Sequence, residues 1–194
     1  MLGTDARTFD LENGVMERVA STTTPQPVIA IAERRSSGLA AVKNAQWVVI
    51  ADRISDPGNL GTILRSAEAA GVSAVVLTPG TVEAFNPKVV RASAGAMFHV
   101  PIIEDVSVEE IRDNGFKVFG TSSHDQQGSF DFTTADLTGK IALLVGNEAH
   151  GLDDNASVDA WLTIPHRGRS ESLNVAMACT LVCFEAARQR ESNS

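Results

Sequence analysis

From residue 46 onward the chain alternates short, mostly continuous apolar runs with longer amphipathic ones. The runs at 47–50, 74–77, 100–103, 116–119, 141–145 and 161–164 read as strands. Continuous apolar character, as in Ile141-Ala142-Leu143-Leu144-Val145, is the mark of a strand buried on both faces. Between these runs, residues 60–70 read as a helix, with Ile63, Leu64, Ala67 and Ala70 on one side and Gly71 as its stop. Residues 87–94 form a short helix capped by Asn86, with Pro87 in the first turn. Residues 108–114 are an amphipathic helix closed by Gly115, and 173–190 are the longest helix, nearly apolar through Phe184. This alternation predicts an α/β domain with a mostly parallel sheet covered by helices on both faces. Such sheets bind ligands at the carboxyl ends of their strands. The loops starting near Asp52, Gly120, Gly146 and Pro165 are therefore the ones to read for chemistry.

Residues 1–38 do not share this pattern and read as an N-terminal segment with a linker, leaving 39–194 as the main domain. They contain the polar run Ser21-Thr22-Thr23-Thr24-Pro25-Gln26-Pro27 and then Val28-Ile29-Ala30-Ile31-Ala32, which suits a strand. No internal repeat or low-complexity tract interrupts the chain. With 194 residues and 43% hydrophobic content, a sizeable core is available without staples. The composition excludes a disordered chain, a collagen and a coiled coil. There is no run of about 18 apolar residues to cross a membrane. The N-terminus lacks a basic patch followed by an apolar stretch, so no secretory signal is expected. Cys179 and Cys183, the only cysteines, make no disulfide framework and read as small core residues, and the cytosol is the expected location. The net charge of −8 argues against a protein that coats nucleic acid. The acidity lies in residues 44–194, which hold 19 acidic and 11 basic residues.

Three segments carry candidate chemistry. The first is Asp56-Pro57-Gly58-Asn59-Leu60-Gly61-Thr62-Ile63-Leu64-Arg65, a turn running into a helix N-terminus, where free backbone N–H groups favour an anion. Its glycine spacing is not that of a dinucleotide fingerprint, and no phosphate-loop lysine follows. The second, Leu144-Val145-Gly146-Asn147-Glu148-Ala149-His150-Gly151-Leu152, ends a strand in glycines that let backbone approach a ligand closely. The third, Ile164-Pro165-His166-Arg167-Gly168-Arg169-Ser170-Glu171-Ser172-Leu173-Asn174-Val175-Ala176, runs through a basic loop into the last helix. Ser170 or Ser172 is placed to cap that helix, and Arg167 and Arg169 to meet phosphates. Each segment alone also reads as an ordinary capped helix, strand-end turn or solvated loop.

Taken together and in this order, the three segments resemble the motifs of the SpoU (TrmH) family of RNA ribose 2′-O-methyltransferases, within the SPOUT superfamily, over residues 44–190. The resemblance implies a C-terminal deep trefoil knot and S-adenosylmethionine as methyl donor. It also implies a homodimer packed through the knot region and the last helix, where Ala176, Met177, Thr180, Leu181 and Phe184 offer an apolar face. A plain core helix would show the same face. It implies a donor site at Thr121, Gly146, Ile164 and Leu173, and catalytic positions at Arg65, Asn59, Glu148, Ser172 and Asn174. Glu148 is placed to pair with an arginine, and Asn174 to bond a strand-end loop. Arg65 matches the family's essential arginine, for which a role as base has been proposed. A guanidinium stays protonated in proteins, so stabilising the developing alkoxide or clamping a phosphate is physically easier.

Relatives in this family usually carry an N-terminal RNA-binding domain, and Thr24-Pro25-Gln26-Pro27-Val28-Ile29-Ala30 resembles its closing segment. The implied partner is RNA, ribosomal in preference to transfer RNA, with no metal and no membrane. Arg53, Arg65, Lys88, Arg91, Arg167 and Arg169 then predict a local basic cleft on an acidic body, with salt-dependent RNA binding. Two other classes remain open at this level. One is a non-catalytic RNA-binding or assembly protein on the same fold, which the full set of motif side chains disfavours. The other is a nucleotide-dependent oxidoreductase, which the missing glycine fingerprint disfavours.

Overall fold

The computed structural model describes residues 7–20, 24, 26–33, 37–122, 129–153, 156–169 and 172–192. The chain divides into two compact units, Met1–Arg35 and Ser36–Ser194. In the first, the only regular element among the described residues is the short helix α1 (Val15–Val19). Residues 28–32, expected as a strand, pair with nothing among the described residues, and Val28, Ile29 and Ile31 are exposed. A run this short needs a neighbouring edge to become a strand. Among the described residues no helix is long and apolar enough to cross a membrane.

The second unit holds β1 (Trp47–Ala51), α2 (Pro57–Ala69), β2 (Ala74–Leu77), α3 (Pro87–Ala92), β3 (Ile102–Ile103) and α4 (Val108–Asp113). These are followed by β4 (Lys117–Ser122), β5 (Phe130–Asp131), β6 (Ile141–Val145), β7 (Ala160–Thr163) and α5 (Val175–Glu191). The strands form one sheet in the order β3-β2-β1-β6-β4-β7-β5, with every pairing parallel. The predicted α/β architecture is what the chain adopts. The first three strands step outward from β1 to one side. The later strands fill the other side, with β6 inserted between β1 and β4, and β7 between β4 and β5. This reversal brings the loops after β1 and β6 side by side, the position where open α/β sheets hold ligands.

The strand period of two sorts the core into two layers. Trp47, Val49 and Ala51 face one cluster, shared with Leu60, Ile63 and Leu64 of α2, Val89 of α3, and Cys179, Val182 and Cys183 of α5. Val48 and Ile50 face the other, with Val76, Ile111 of α4, Phe116 and Val118. Each fully buried Ile or Leu contributes roughly 1.5–3 kcal/mol relative to exposure, so this double-sided burial fixes the strand register.

Helix ends fall where local chemistry puts them. α2 begins three residues before the expected start at 60, because Asp56 caps it by accepting from the Asn59 amide at 2.8 Å and Pro57 occupies the first turn. α4 has a reciprocal capping box between Ser107 and Glu110. α5 is capped by Asn174 rather than by Ser172, while Ser170 lies outside the described residues. β4 runs on to Ser122, beyond the expected end at 119, because Gly120 pairs with Trp161 of β7. A Cβ at 120 would lie 2.8 Å from Val158 Cγ1 and 2.9 Å from Trp161 Cζ3, so only glycine lets the strand continue there. β5 was missed because two residues carry no period.

α2 and α3 pack at close range through Gly61. A Cβ there would run into Ala92 Cβ and come within 2.9 Å of the Ser93 backbone nitrogen. The backbone of α3 would have to move, so Gly61→Ala is expected to destabilise the fold by about 1–3 kcal/mol. A urea titration checks this: the unfolding midpoint falls while the slope is unchanged.

Candidate active site

A cleft of about 520 Å³ opens at the carboxyl ends of β4, β6 and β7, beside the start of α5. Of the nine side chains singled out by sequence, eight line it: Asn59, Thr121, Gly146, Glu148, Ile164, Ser172, Leu173 and Asn174. Arg65 does not. It stands on the exposed outward side of α2, and its guanidinium makes no ion pair or hydrogen bond among the described residues.

Hydrogen bonds join the three sequence segments into one unit. Glu148 Oε2 accepts from the Ser55 amide at 3.1 Å and the Ser55 hydroxyl at 2.9 Å. Its Oε1 accepts from the Asp56 amide and from Asn59 Nδ2, both at 3.0 Å. Asn59 Oδ1 in turn accepts from Asn174 Nδ2 at 2.9 Å. Asn174 Oδ1 caps α5 by accepting from the Ala176 and Met177 amides at 2.9 and 3.3 Å. Glu148 therefore binds the entrance of α2 instead of the arginine expected from sequence. Asn174 reaches α2 instead of a strand-end loop. Partial desolvation opposes ionisation of Glu148, but the bonds from Asn59 and from the Asp56 and Ser55 amides outweigh it and hold the carboxyl at about 2. In this structure Glu148, Asn59 and Asn174 position other groups.

The β6 loop turns back on itself through Asn147. Its Nδ2 donates to the Arg53 carbonyl at 2.9 Å, and the Gly151 amide donates to the Asn147 carbonyl at 2.8 Å. Arg53 sits at φ 52°, a strained value for a non-glycine residue. Its guanidinium pairs with Asp52 at 3.0 Å and Asp153 at 2.9 Å. It is thereby tied to two carboxylates, where the sequence suggested a free phosphate contact. His166, Arg167 and Arg169 are exposed on the third segment. Among the described residues the cleft also holds Trp161, His150 and His166, which were not among the expected site positions. Both histidines lie inside the quoted motifs, but only the fold turns them toward one cleft.

A wider, open groove of about 630 Å³ lies at the amino end of β4. Two of its lining groups are already engaged, Arg112 with Asp159 at 2.6 Å and Glu109 with the Ser157 hydroxyl at 2.6 Å. It offers no group placed for chemistry.

The model of the SpoU rRNA Methylase family matches residues 46–184, which span every element from β1 into α5. The chain belongs to this family. The 23S rRNA (guanosine(2553)-2′-O)-methyltransferase RlmP of Bacillus subtilis is 36% identical over 188 residues, covering 94% of this chain and 73% of that protein. The 23S rRNA (uridine(2479)-2′-O)-methyltransferase of Streptomyces viridochromogenes is 33% identical, covering 92% of this chain and 66% of its own length. The AdoMet-bound rRNA methyltransferase from Sinorhizobium meliloti superposes with a TM-score of 0.72 at 36% identity, over 80% of this chain and 62% of that one. The chain thus spans about two thirds of the relatives it matches. The hydrogen-bonded bridge gives three of the motif side chains, Asn59, Glu148 and Asn174, a structural reason.

The low pKa of Glu148 has a measurable consequence. Its carboxyl ionises more readily folded than at its ordinary value of 4.5, so its contribution to stability is complete above about 4.5 and is lost as pH falls toward 2. Between pH 5 and pH 3 the urea midpoint of the native protein should fall more steeply than that of Glu148→Gln. Parallel curves would contradict this linkage.

Proposed function

We propose that this chain is an RNA methyltransferase that moves a methyl group from S-adenosylmethionine to a ribose 2′-hydroxyl. The observation that carries this reading is the convergence of the three motif segments on one cleft, closed by the bridge Glu148–Asn59–Asn174. The lining suits the donor. Leu152, Trp161, Leu162, Ile164 and Leu173 offer an apolar wall for a purine. Thr121, Ser122 and Ser172 bring polar groups for a ribose and an amino-acid end. The volume falls within the range of small-molecule sites. When bound, S-adenosylmethionine supplies an electrophilic methyl group on a positively charged sulfur. The residues of the chain hold that group, bring the RNA to it and stabilise charge on the attacking oxygen.

Arg65 fits the last of these tasks in a dimer. Ser66, its neighbour, meets Thr180 of α5 across a 2.6 Å hydroxyl contact, so α2 and α5 lie side by side. Beside Arg65, α5 turns Met177, Leu181 and Phe184 outward at 61%, 43% and 49% exposure. A second copy of the chain is the occupant that the resemblance implies for this stripe. It would cover the stripe and bring Arg65 of one protomer to the cleft of the other. Ala176 and Thr180, grouped with that face from sequence, point inward instead: Ala176 is buried and Thr180 bonds Ser66 and the Ala176 carbonyl.

Arg167 and Arg169, exposed on the segment between the cleft residues His166 and Ser172, and Lys88, exposed at the start of α3, supply phosphate contacts on an otherwise acidic body. The substrate is ribosomal RNA in preference to transfer RNA, and the setting is the cytoplasm. Residues 1–38 resemble the closing segment of an RNA-binding domain with its linker. The reading includes a knotted path around the cleft, which would hold the loops at 146–152 and 164–174 against each other.

Incubation with methyl-labelled S-adenosylmethionine and unmodified ribosomal or transfer RNA, followed by nucleoside analysis, tests the reading. A labelled 2′-O-methylnucleoside is expected. Arg65→Ala should bind the donor within about twofold of the native protein and lose at least about 100-fold in turnover. An unchanged turnover rate in that variant would remove Arg65 from the mechanism.

A further inference from the structure

We infer that His150 is the general base that takes the proton from the attacking ribose hydroxyl. The inference rests on the methyl-transfer reading above and names a role that reading leaves unfilled. As the ribose oxygen bonds to the methyl carbon, the carbon–sulfur bond breaks with its electron pair staying on sulfur, and the hydroxyl proton must go to a base. None of the catalytic positions expected from the resemblance provides one among the described residues. The Glu148 carboxylate already accepts four hydrogen bonds from Ser55, Asp56 and Asn59. Asn59 and Asn174 carry amides, which have no basic lone pair near neutral pH. Arg65 remains a cation.

Among the described residues two imidazoles line the cleft, His150 and His166, and the structure orients His150. The Asn147 amide fixes its tautomer. Asn147 Nδ2 donates to the Arg53 carbonyl at 2.9 Å, and its Oδ1 accepts from the Ala149 amide at 2.9 Å and the His150 amide at 3.2 Å. With the amide so anchored at both ends, the atom facing His150 Nδ1 at 3.2 Å is an acceptor. Nδ1 is the donor in this contact, so in the neutral ring it is Nε2 that carries the free lone pair. The ring is exposed on the cleft lining, so that lone pair is open to a substrate hydroxyl. A neutral imidazole held in one tautomer by a second group is the usual form of a general base. Nε2 then passes the proton to water, which closes the balance.

Among the described residues, charged and titratable groups stand on three segments that meet at the cleft or its bridge. Glu148 and Asp153 lie on the loop of His150 itself. Asp52, Arg53 and Asp56 lie on the β1–α2 loop, and His166, Arg167 and Arg169 lie on the segment leading to α5. Arg53 is already neutralised by Asp52 and Asp153, and Glu148 is committed to Ser55, Asp56 and Asn59.

The test compares the full-length native protein with His150→Ala and His150→Gln. It uses labelled S-adenosylmethionine with unmodified ribosomal RNA, and equilibrium dialysis for donor binding. Both variants should bind the donor within about twofold of native and lose about 100-fold in kcat. The rising limb of log kcat against pH should have unit slope in the native protein and be absent from both variants. Added imidazole should restore part of the rate to His150→Ala. Nitrogen-15 NMR of the native protein, which needs no turnover, should show the His150 ring protonated at Nδ1 and bare at Nε2. A kcat within twofold of native, a rising limb that survives the substitution, a rate loss that follows a loss of donor affinity, or a ring protonated at Nε2 would each overturn the inference. If native protein transfers methyl groups and the variants do so equally, the inference alone fails. If native protein binds no donor and methylates no RNA, the reading beneath it fails as well.

Discussion

The side-chain amide of Asn59 has its donor end on Glu148 and its acceptor end on Asn174. Each of those partners is committed to the start of a helix. Glu148 holds the turn leading into α2, and Asn174 caps α5. One amide thus ties together the ends of β1 and β6 and the beginning of α5, which are far apart in the chain and adjacent only because β6 inserts between β1 and β4. Hydrogen bonds to an ionised carboxylate are stronger than those between neutral groups. The bridge is strongest while Glu148 is charged. Its low pKa keeps it so throughout the physiological range.

This constraint separates two kinds of motif residue. Asn59, Glu148 and Asn174 have their polar atoms engaged with one another, with backbone amides and with Ser55, so their contribution is geometric. Arg65 and His150 have polar atoms left over, the first a whole guanidinium and the second one ring nitrogen. A cation facing a developing alkoxide and a base facing its proton are complementary demands of one reaction. The two proposed roles fall on different elements. Arg65 lies outside the cleft of its own chain, beside an apolar stripe, while His150 lies within it.

Periodicity made the strands and helices legible, because double-sided burial leaves continuous apolar runs such as 47–50 and 141–145. It could not place β5, with two residues, or extend β4 past Gly120, where the missing side chain rather than any pattern admits the Trp161 and Val158 neighbours. Eight of the nine site positions fell on one cleft because the family motifs carried them there. Their partners were not legible. Glu148 was expected beside an arginine and lies on the α2 entrance, while Arg53, expected to be free, is held by Asp52 and Asp153. Residues about 90 apart in the chain meet only through strand order, and strand order is not written in local sequence. Val28 to Ala32 failed as a strand for the same reason: its apolar pattern is adequate, but nothing among the described residues pairs with it.

The central claim is that the three segments make one donor cleft, held in shape by the Asn59 bridge. The most direct measurement is a crystal structure of the protein with S-adenosylhomocysteine. The account predicts the ligand between Thr121, Gly146, Ile164 and Leu173, with Trp161 and Leu152 beside its purine and the Glu148–Asn59–Asn174 bonds intact. A ligand seated elsewhere, such as the groove at Arg112 and Asp159, or a bridge broken on binding, would contradict it.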